Sequence, residues 1–182
     1  SLYELYGPPG NPTLRPEKSR SIDLSAERRL GTGAFARATL FYNETENLID
    51  NLPLSAAPWS RYFEVPGTVR RRGGELEFGA PISAVWRIDA NYTHTTGTNP
   101  TLSAGNAWNL EFPKHDVSLT LTGDLTDRIS SVWSVQRAID RPTLANYTVA
   151  NSTFTYRVND GTEAYLRIDN LLNEQYQLSR GY

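Results

Sequence analysis

The segment Pro58-Trp59-Ser60-Arg61-Tyr62-Phe63 places three aromatic rings and one guanidinium close together in a long connecting stretch. Flat rings stack on planar ligands, and a guanidinium forms charge-assisted hydrogen bonds to anions. Trp59, Arg61 and Tyr62 are therefore candidate ligand contacts, with Trp108 and Arg141 as further candidates by the same chemistry. The alternative is that these loops pack on themselves or on their neighbours. Catalysis is not expected, because the chain has no Gly-x-Ser-x-Gly nucleophile elbow and its Ser, His and Asp residues follow no catalytic arrangement. His94 and His115 are the only histidines and there is no cysteine. Nothing supplies a third ligand beside either histidine, so each is expected to be solvated or hydrogen-bonded, and no metal centre or cofactor is expected.

Composition narrows the setting. The chain has 182 residues, is 38% hydrophobic and carries a net charge of -2, with a sequence pI near 5.7. There is no basic field to attract nucleic acid. No run of 18 apolar residues exists, so no transmembrane helix is expected, but a barrel strand needs an apolar residue only at alternate positions. Lys18 and Lys114 are the only lysines, and arginine supplies the remaining positive charge. That bias suits buried or lumenal ion pairs. Methionine is absent and Ser1-Leu2-Tyr3 opens without a signal peptide. The chain therefore reads as a piece of a longer polypeptide.

About eight strands alternate with period two. Ile22, Leu24 and Ala26 oppose Asp23, Ser25, Glu27 and Arg29. Ala34, Ala36, Ala38, Leu40 and Tyr42 oppose Arg37, Thr39 and Asn43, with Phe35 and Phe41 as exceptions. Leu76 and Phe78 oppose Glu75 and Glu77, and Trp86, Ile88, Ala90 and Tyr92 oppose Arg87, Asp89 and Asn91. Val117, Leu119 and Leu121 oppose Asp116, Ser118, Thr120 and Thr122. Ile129, Trp133 and Val135 oppose Ser130, Ser134 and Gln136, while Ser131 and Val132 break the order. Phe154, Tyr156 and Val158 oppose Thr153, Thr155 and Arg157, and Ala164, Leu166 and Ile168 oppose Glu163, Tyr165, Arg167 and Asp169.

The connections alternate as well. Gly31 to Gly33, Gly79 to Ile82, Asp124 to Asp127 and Asn159 to Gly161 are short. Thr45 to Pro66, Thr95 to Pro113 and Asp140 to Asn146 are longer. Tight turns at one rim and large loops at the other are the wiring of an outer-membrane β-barrel, with the turns periplasmic and the loops external. A soluble sandwich would also accommodate eight strands, but with a lysine-rich solvated face. Tyr42, Tyr92, Tyr147 and Tyr156 lie near strand ends, as aromatic girdles do. Of Arg70-Arg71-Arg72, alternation sends Arg71 to the face opposite its neighbours, and Arg71 is expected to meet lipid phosphate, lipopolysaccharide being a suitable source.

Several segments carry a resemblance. Gly10-Asn11-Pro12-Thr13-Leu14-Arg15-Pro16-Glu17-Lys18-Ser19 resembles the "GNPxLxPEKS" segment that enters a strand in TonB-dependent outer-membrane receptors. Phe41 to Asp50 is similar to that family's strand ending in "V-x-D-L-I", and Gly74-Glu75-Leu76-Glu77 to its "G-x-E-x-x" strand. Leu166 to Tyr176 resembles "V-x-N-L-F-D-K-x-Y", followed by Gly181-Tyr182 as its "GY". The resemblance covers essentially the whole chain, in order. It implies an all-β, antiparallel up-and-down transmembrane β-barrel segment: about eight strands, numbers 14 to 21, of a 22-stranded barrel. Residues 1–182 would be its C-terminal portion, without the plug domain and last strand.

The implied function is uptake of a metal chelate, an iron–siderophore complex or cobalamin, across the bacterial outer membrane with TonB-coupled energy. The implied partners are the chelate, outer-membrane lipid or lipopolysaccharide, and the TonB complex through the missing plug. The alternative is a stand-alone outer-membrane or extracellular β-domain for binding or adhesion. Pro12 and Pro16 forbid helix before them, so this stretch is expected to enter its strand extended. Asn170 to Asn173 is expected to end the last strand in a turn capped by its amides.

Overall fold

The computed structural model describes residues 1–53, 60–98, 112–142 and 144–178. A short helix, α1 (Leu2–Tyr6), precedes ten strands: β1 (Lys18–Arg29), β2 (Phe35–Glu46), β3 (Ile49–Pro53), β4 (Ser60–Glu64), β5 (Thr68–Pro81), β6 (Trp86–Thr98), β7 (His115–Thr126), β8 (Ile129–Ile139), β9 (Tyr147–Asn159) and β10 (Thr162–Ile168). The eight expected strands are all present, and most run longer than their cleanly alternating cores. The turn after β5 falls at Ile82 to Val85, later than Gly79 to Ile82, because Gly79 to Pro81 still belongs to the strand.

Eight strands form one sheet in the order β1-β2-β5-β6-β7-β8-β9-β10, and β3-β4 is a separate hairpin. A sandwich would divide eight strands between two facing sheets and bury a core between them. Among the described residues the buried apolar side chains are only Val65, Ala138, Tyr147 and Val149. This is a wall, with large apolar residues such as Ile22, Leu24, Leu40, Leu76 and Leu166 left exposed. Such a face is stable where hydrocarbon rather than water covers it.

Two compact units make up the chain: residues 1–23, 41–72 and 96–109, and residues 24–40, 73–95 and 110–182. In the second unit the antiparallel register aligns the faces. Ile88, Leu121 and Trp133 stand in one row, and Ala90, Leu119, Val135 and Ala150 in the next. The other face carries Asp89, Thr120, Ser134 and Asn151 in register.

Register also explains the irregularity in β8. Ser131 lies on the apolar face between Gly123 and Phe154, and Val132 lies on the polar face between Thr122 and Thr153, so alternation is unbroken. The small residues make room for large rings. A Cβ on Gly123 would sit 2.4 Å from the Trp86 ring. Trp133 meets Phe154 edge to face at 5.3 Å between centroids, beside buried Ser131 and Ser152.

The polar face carries the expected ion pairs. Arg37 bridges Glu27 at 2.6 Å and Glu77 at 3.2 Å. Arg87 bonds Asp89 at 2.6 Å and the Gly33 carbonyl at 2.9 Å. Gly79 leaves the space these groups fill, since a Cβ there would lie 2.4 Å from the Arg87 guanidinium. Tyr147 departs from the girdle expectation. It shares a row with Asp116 and Ala138 on the polar side and is buried there.

Candidate functional site

The first unit holds the aromatic segment. Trp59 and Trp108 lie outside the described residues. Arg61 and Tyr62 lie on β4, opposite Leu52 and Asn51 of β3. Adjacent strand residues project to opposite faces, so these two do not share one surface of the hairpin. Arg61 is exposed. Tyr62 is half-buried, and its backbone is tied to the segment before β1: its N–H donates to the Pro9 carbonyl at 3.1 Å, and its carbonyl accepts from Asn11 Nδ2 at 3.2 Å.

The Tyr62 ring meets Tyr3 of α1 edge to face, with centroids 6.4 Å apart. Tyr3 and Tyr6 are themselves exposed on α1. Neither tyrosine is among the ligand contacts expected from sequence. A signal for the helix was present in Ser1-x-x-Glu4, a capping box whose two hydrogen bonds both form. The result is a patch of Tyr3 and Tyr62 rings, held by α1 and β4.

A clamp fixes this arrangement. Arg15 donates Nε and Nη2 to Glu64 at 3.0 and 2.8 Å, and its backbone N–H donates to the same carboxylate. Hydrogen bonding from the Arg15 side chain, then from its backbone, holds the Glu64 carboxyl below the usual carboxylate range. The Ile49 N–H donates to Glu17, and Asn47 Nδ2 donates to the Pro16 carbonyl. Leu14 to Glu17 is indeed non-helical and leads directly into β1.

Arg141 belongs to the second unit. It is 8% exposed, donates to the carbonyls of Ala145 at 3.0 Å and Leu178 at 2.9 Å, and lies 5.1 Å from the centre of the Tyr147 ring. Tyr147 in turn stacks on Tyr176 at 4.6 Å. These contacts use both terminal nitrogens to fasten residues 170–178 to the β8–β9 connection. Asn170 begins that fastening at φ 52°, donating to Glu174 O at 3.0 Å and accepting from Glu174 N–H at 2.9 Å. The amide-capped turn at the end of the last strand is present.

The two histidines are neighbours, which their separation in sequence does not reveal. His94 and His115 are register partners with Nδ1 atoms 3.3 Å apart, and Tyr92 Oη lies 2.7 Å from His115 Nδ1. Each is hydrogen-bonded, as expected. Among the described residues no group of three His, Asp or Glu is placed to hold a metal.

A single antiparallel sheet, apolar on one face and ion-paired on the other, with tight turns alternating with long loops, defines the wall of a transmembrane barrel. Residues 1–171 match the family model for the TonB dependent receptor-like β-barrel, and the chain belongs to that family. An iron-regulated outer membrane virulence protein of Vibrio cholerae is 27% identical over 135 residues, covering 69% of this chain and 21% of that protein. The chain thus spans about a fifth of the length of this curated relative.

Solved structures with the same fold include the copper transporter OprC, with TM-score 0.75 and 18% identity, covering 97% of this chain and 30% of that one. The ferripyoverdine receptor of the outer membrane of Pseudomonas aeruginosa gives TM-score 0.67 at 16% identity, covering 94% and 25%. The ferric-catecholate import receptor Fiu of E. coli gives 0.65 at 21%, covering 91% and 25%. The family is one of transport receptors, and the chain resides in the bacterial outer membrane.

Proposed function

We propose that this chain forms part of the wall and external surface of a receptor that takes up an iron chelate through the outer membrane, with energy coupled through TonB. The observation carrying this reading is the aromatic cluster at the long-loop end, where the half-buried Tyr62 ring meets exposed Tyr3 with exposed Tyr6 on the same helix, while the exposed Arg61 guanidinium lies on the other face of the hairpin. Flat faces and a guanidinium suit a planar, anionic chelate. The iron-regulated relative and the ferric-catecholate and ferripyoverdine receptors favour iron–siderophore over cobalamin as cargo.

Residues 1–182 are the C-terminal portion of the barrel in this proposal. β1 and β10 each have one neighbour, and in lipid a sheet edge needs further strands to satisfy its backbone. The plug would supply the TonB contact, and lipopolysaccharide would surround the external rim. Trp59 and Trp108, outside the described residues, are proposed as further ligand contacts, while Arg141, with both terminal nitrogens on carbonyls, orders its own loop.

The test replaces Trp59, Arg61 and Tyr62 together by Ala and measures binding of ferric siderophores to whole cells, with growth on limiting iron. Weaker binding at an unchanged amount of folded barrel supports the proposal. Binding and growth equal to the unaltered protein for every siderophore tried would make the loop structural.

A further inference from the structure

We propose that Tyr92, His94 and His115 form a binding site for one divalent transition-metal ion, zinc being the best fit, at the loop ends of β6 and β7. The site lies apart from the aromatic cluster assigned to the chelate. It does not depend on which cargo is carried.

The two strands bring the donors together. His94 and His115 are register partners, and Tyr92 lies two residues before His94 on the same face of β6, diagonal to His115. The two imidazole centroids are 4.7 Å apart with a tilt of 35°. Tyr92 stacks on His115 with centroids 6.0 Å apart. Their polar atoms converge: the two Nδ1 atoms are 3.3 Å apart, and Tyr92 Oη is 2.7 Å from His115 Nδ1. The third donor is a phenol oxygen rather than another His, Asp or Glu. Spacing along the chain shows no such set, because His115 joins it only through strand register.

Distance decides the chemistry. Two nitrogens bound to one tetrahedral zinc ion, each ~2.0–2.1 Å from the metal, lie about 3.3–3.4 Å from one another. The Nδ1 separation of 3.3 Å already has that bite. Opening the Tyr92–His115 contact by about 0.6 Å gives the phenol oxygen the same spacing. On binding, both Nδ1 lone pairs go to the metal and each ring keeps its proton on Nε2. Tyr92 joins as a phenolate, releasing its proton to solvent, and water takes the fourth position. Behind this set, Asp140 Oδ2 lies 4.0 Å from His115 Nε2. A carboxylate on the far side of a ligating imidazole orients the ring and raises its basicity. Asp140 is itself held in place, its carbonyl accepting from the Lys114 N–H at 3.2 Å. The site is open to solvent, since the His115 side chain is 31% exposed. Tyr92 and His94 share the face of Ile88 and Ala90, which places the ion on the outer wall and not in the lumen. There it would staple β6 to β7 beside the last bond between them, from Thr95 N–H to the Lys114 carbonyl at 2.9 Å. Imidazole donors favour zinc, copper(II) and nickel over magnesium and calcium.

The test uses the full-length receptor in detergent, stripped with EDTA and titrated with zinc chloride in a calorimeter. The unaltered protein should bind one zinc equivalent more than a His94→Gln/His115→Gln double variant. Asp140→Asn should weaken that equivalent about tenfold, with Asp140→Glu recovering part of the loss, and Tyr92→Phe should weaken it at least as much as Asp140→Asn. With copper(II) as the probe, electron paramagnetic resonance should show coupling to two imidazole nitrogens that the double variant lacks. Zinc should raise the unfolding temperature of the unaltered protein and leave that of the double variant unchanged. Heat-modifiable migration confirms folding, and if the double variant fails to fold, Tyr92→Phe and the copper spectrum of the unaltered protein decide. Equal zinc stoichiometry in the folded double variant overturns the proposal. So does a copper spectrum without two imidazole nitrogens, or Tyr92→Phe binding zinc like the unaltered protein. Displacement of the zinc by millimolar magnesium would mark a carboxylate site elsewhere and also overturn it. The readout is the metal alone, so a failure of the siderophore proposal leaves this result standing, and the reverse holds too.

Discussion

Arg15 and Glu64 form a two-pronged ion pair across 49 residues of sequence, joining the segment that enters β1 to the β3–β4 hairpin. The pair lowers the Glu64 pKa, so its contribution to loop order is present above the unfolded carboxylate pKa, about 4.3. The contribution is lost as pH falls through the lower folded value. Hydrogen exchange at the Arg15 amide should therefore be slow and flat from pH 7 to about 5, after correction for intrinsic rates, and rise in acid beyond the intrinsic trend. Glu64→Gln should show the faster corrected exchange throughout. A variant exchanging like the unaltered chain at neutral pH would show that the clamp does not order the loop.

Leu119 and Thr120 are adjacent on β7 but belong to opposite faces, in register with Ala90 and Asp89. Leu119→Arg should destabilise the barrel by about 2–4 kcal/mol if it lies near the bilayer midplane, whereas Thr120→Arg on the lumenal face should cost little. Urea unfolding in liposomes measures both. Equal tolerance would contradict the assignment of faces.

Trp86 covers Gly123 so closely that a side chain there must displace the ring. Gly123→Val should cost about 1–3 kcal/mol, the usual scale of overpacking, and shift the fluorescence of Trp86. Adding Trp86→Ala should recover part of the loss in a double-mutant cycle. Strict additivity would show that the ring does not occupy that space.

The long strands were legible because apolar and polar residues alternate on a half-covered sheet, and the turns because glycine and aspartate cluster between them. The β3–β4 hairpin was not. Ile49-Asp50-Asn51-Leu52-Pro53 is short, ends in a residue without an amide donor and gives no clean alternation. The contact of His94 with His115 depends on the register of two strands, to which neither local sequence refers. Ser131 looked like a defect because its neighbours Gly123 and Phe154 come from other strands. Of the candidate site, residue types were readable but partners were not. Arg141 resembles a free anion-binding group in sequence, while the fold commits it to two carbonyls and a tyrosine ring.

In the topology proposed for this barrel the tight turns face the periplasm and the β3–β4 hairpin faces the exterior. This chain has no cysteine, so single cysteines can be introduced without a background from it. Arg61→Cys and Asp160→Cys would be labelled in intact cells with a membrane-impermeant maleimide. The account predicts labelling at position 61 in intact cells, and at 160 only after the outer membrane is opened. Labelling of 160 on intact cells with 61 protected would contradict it.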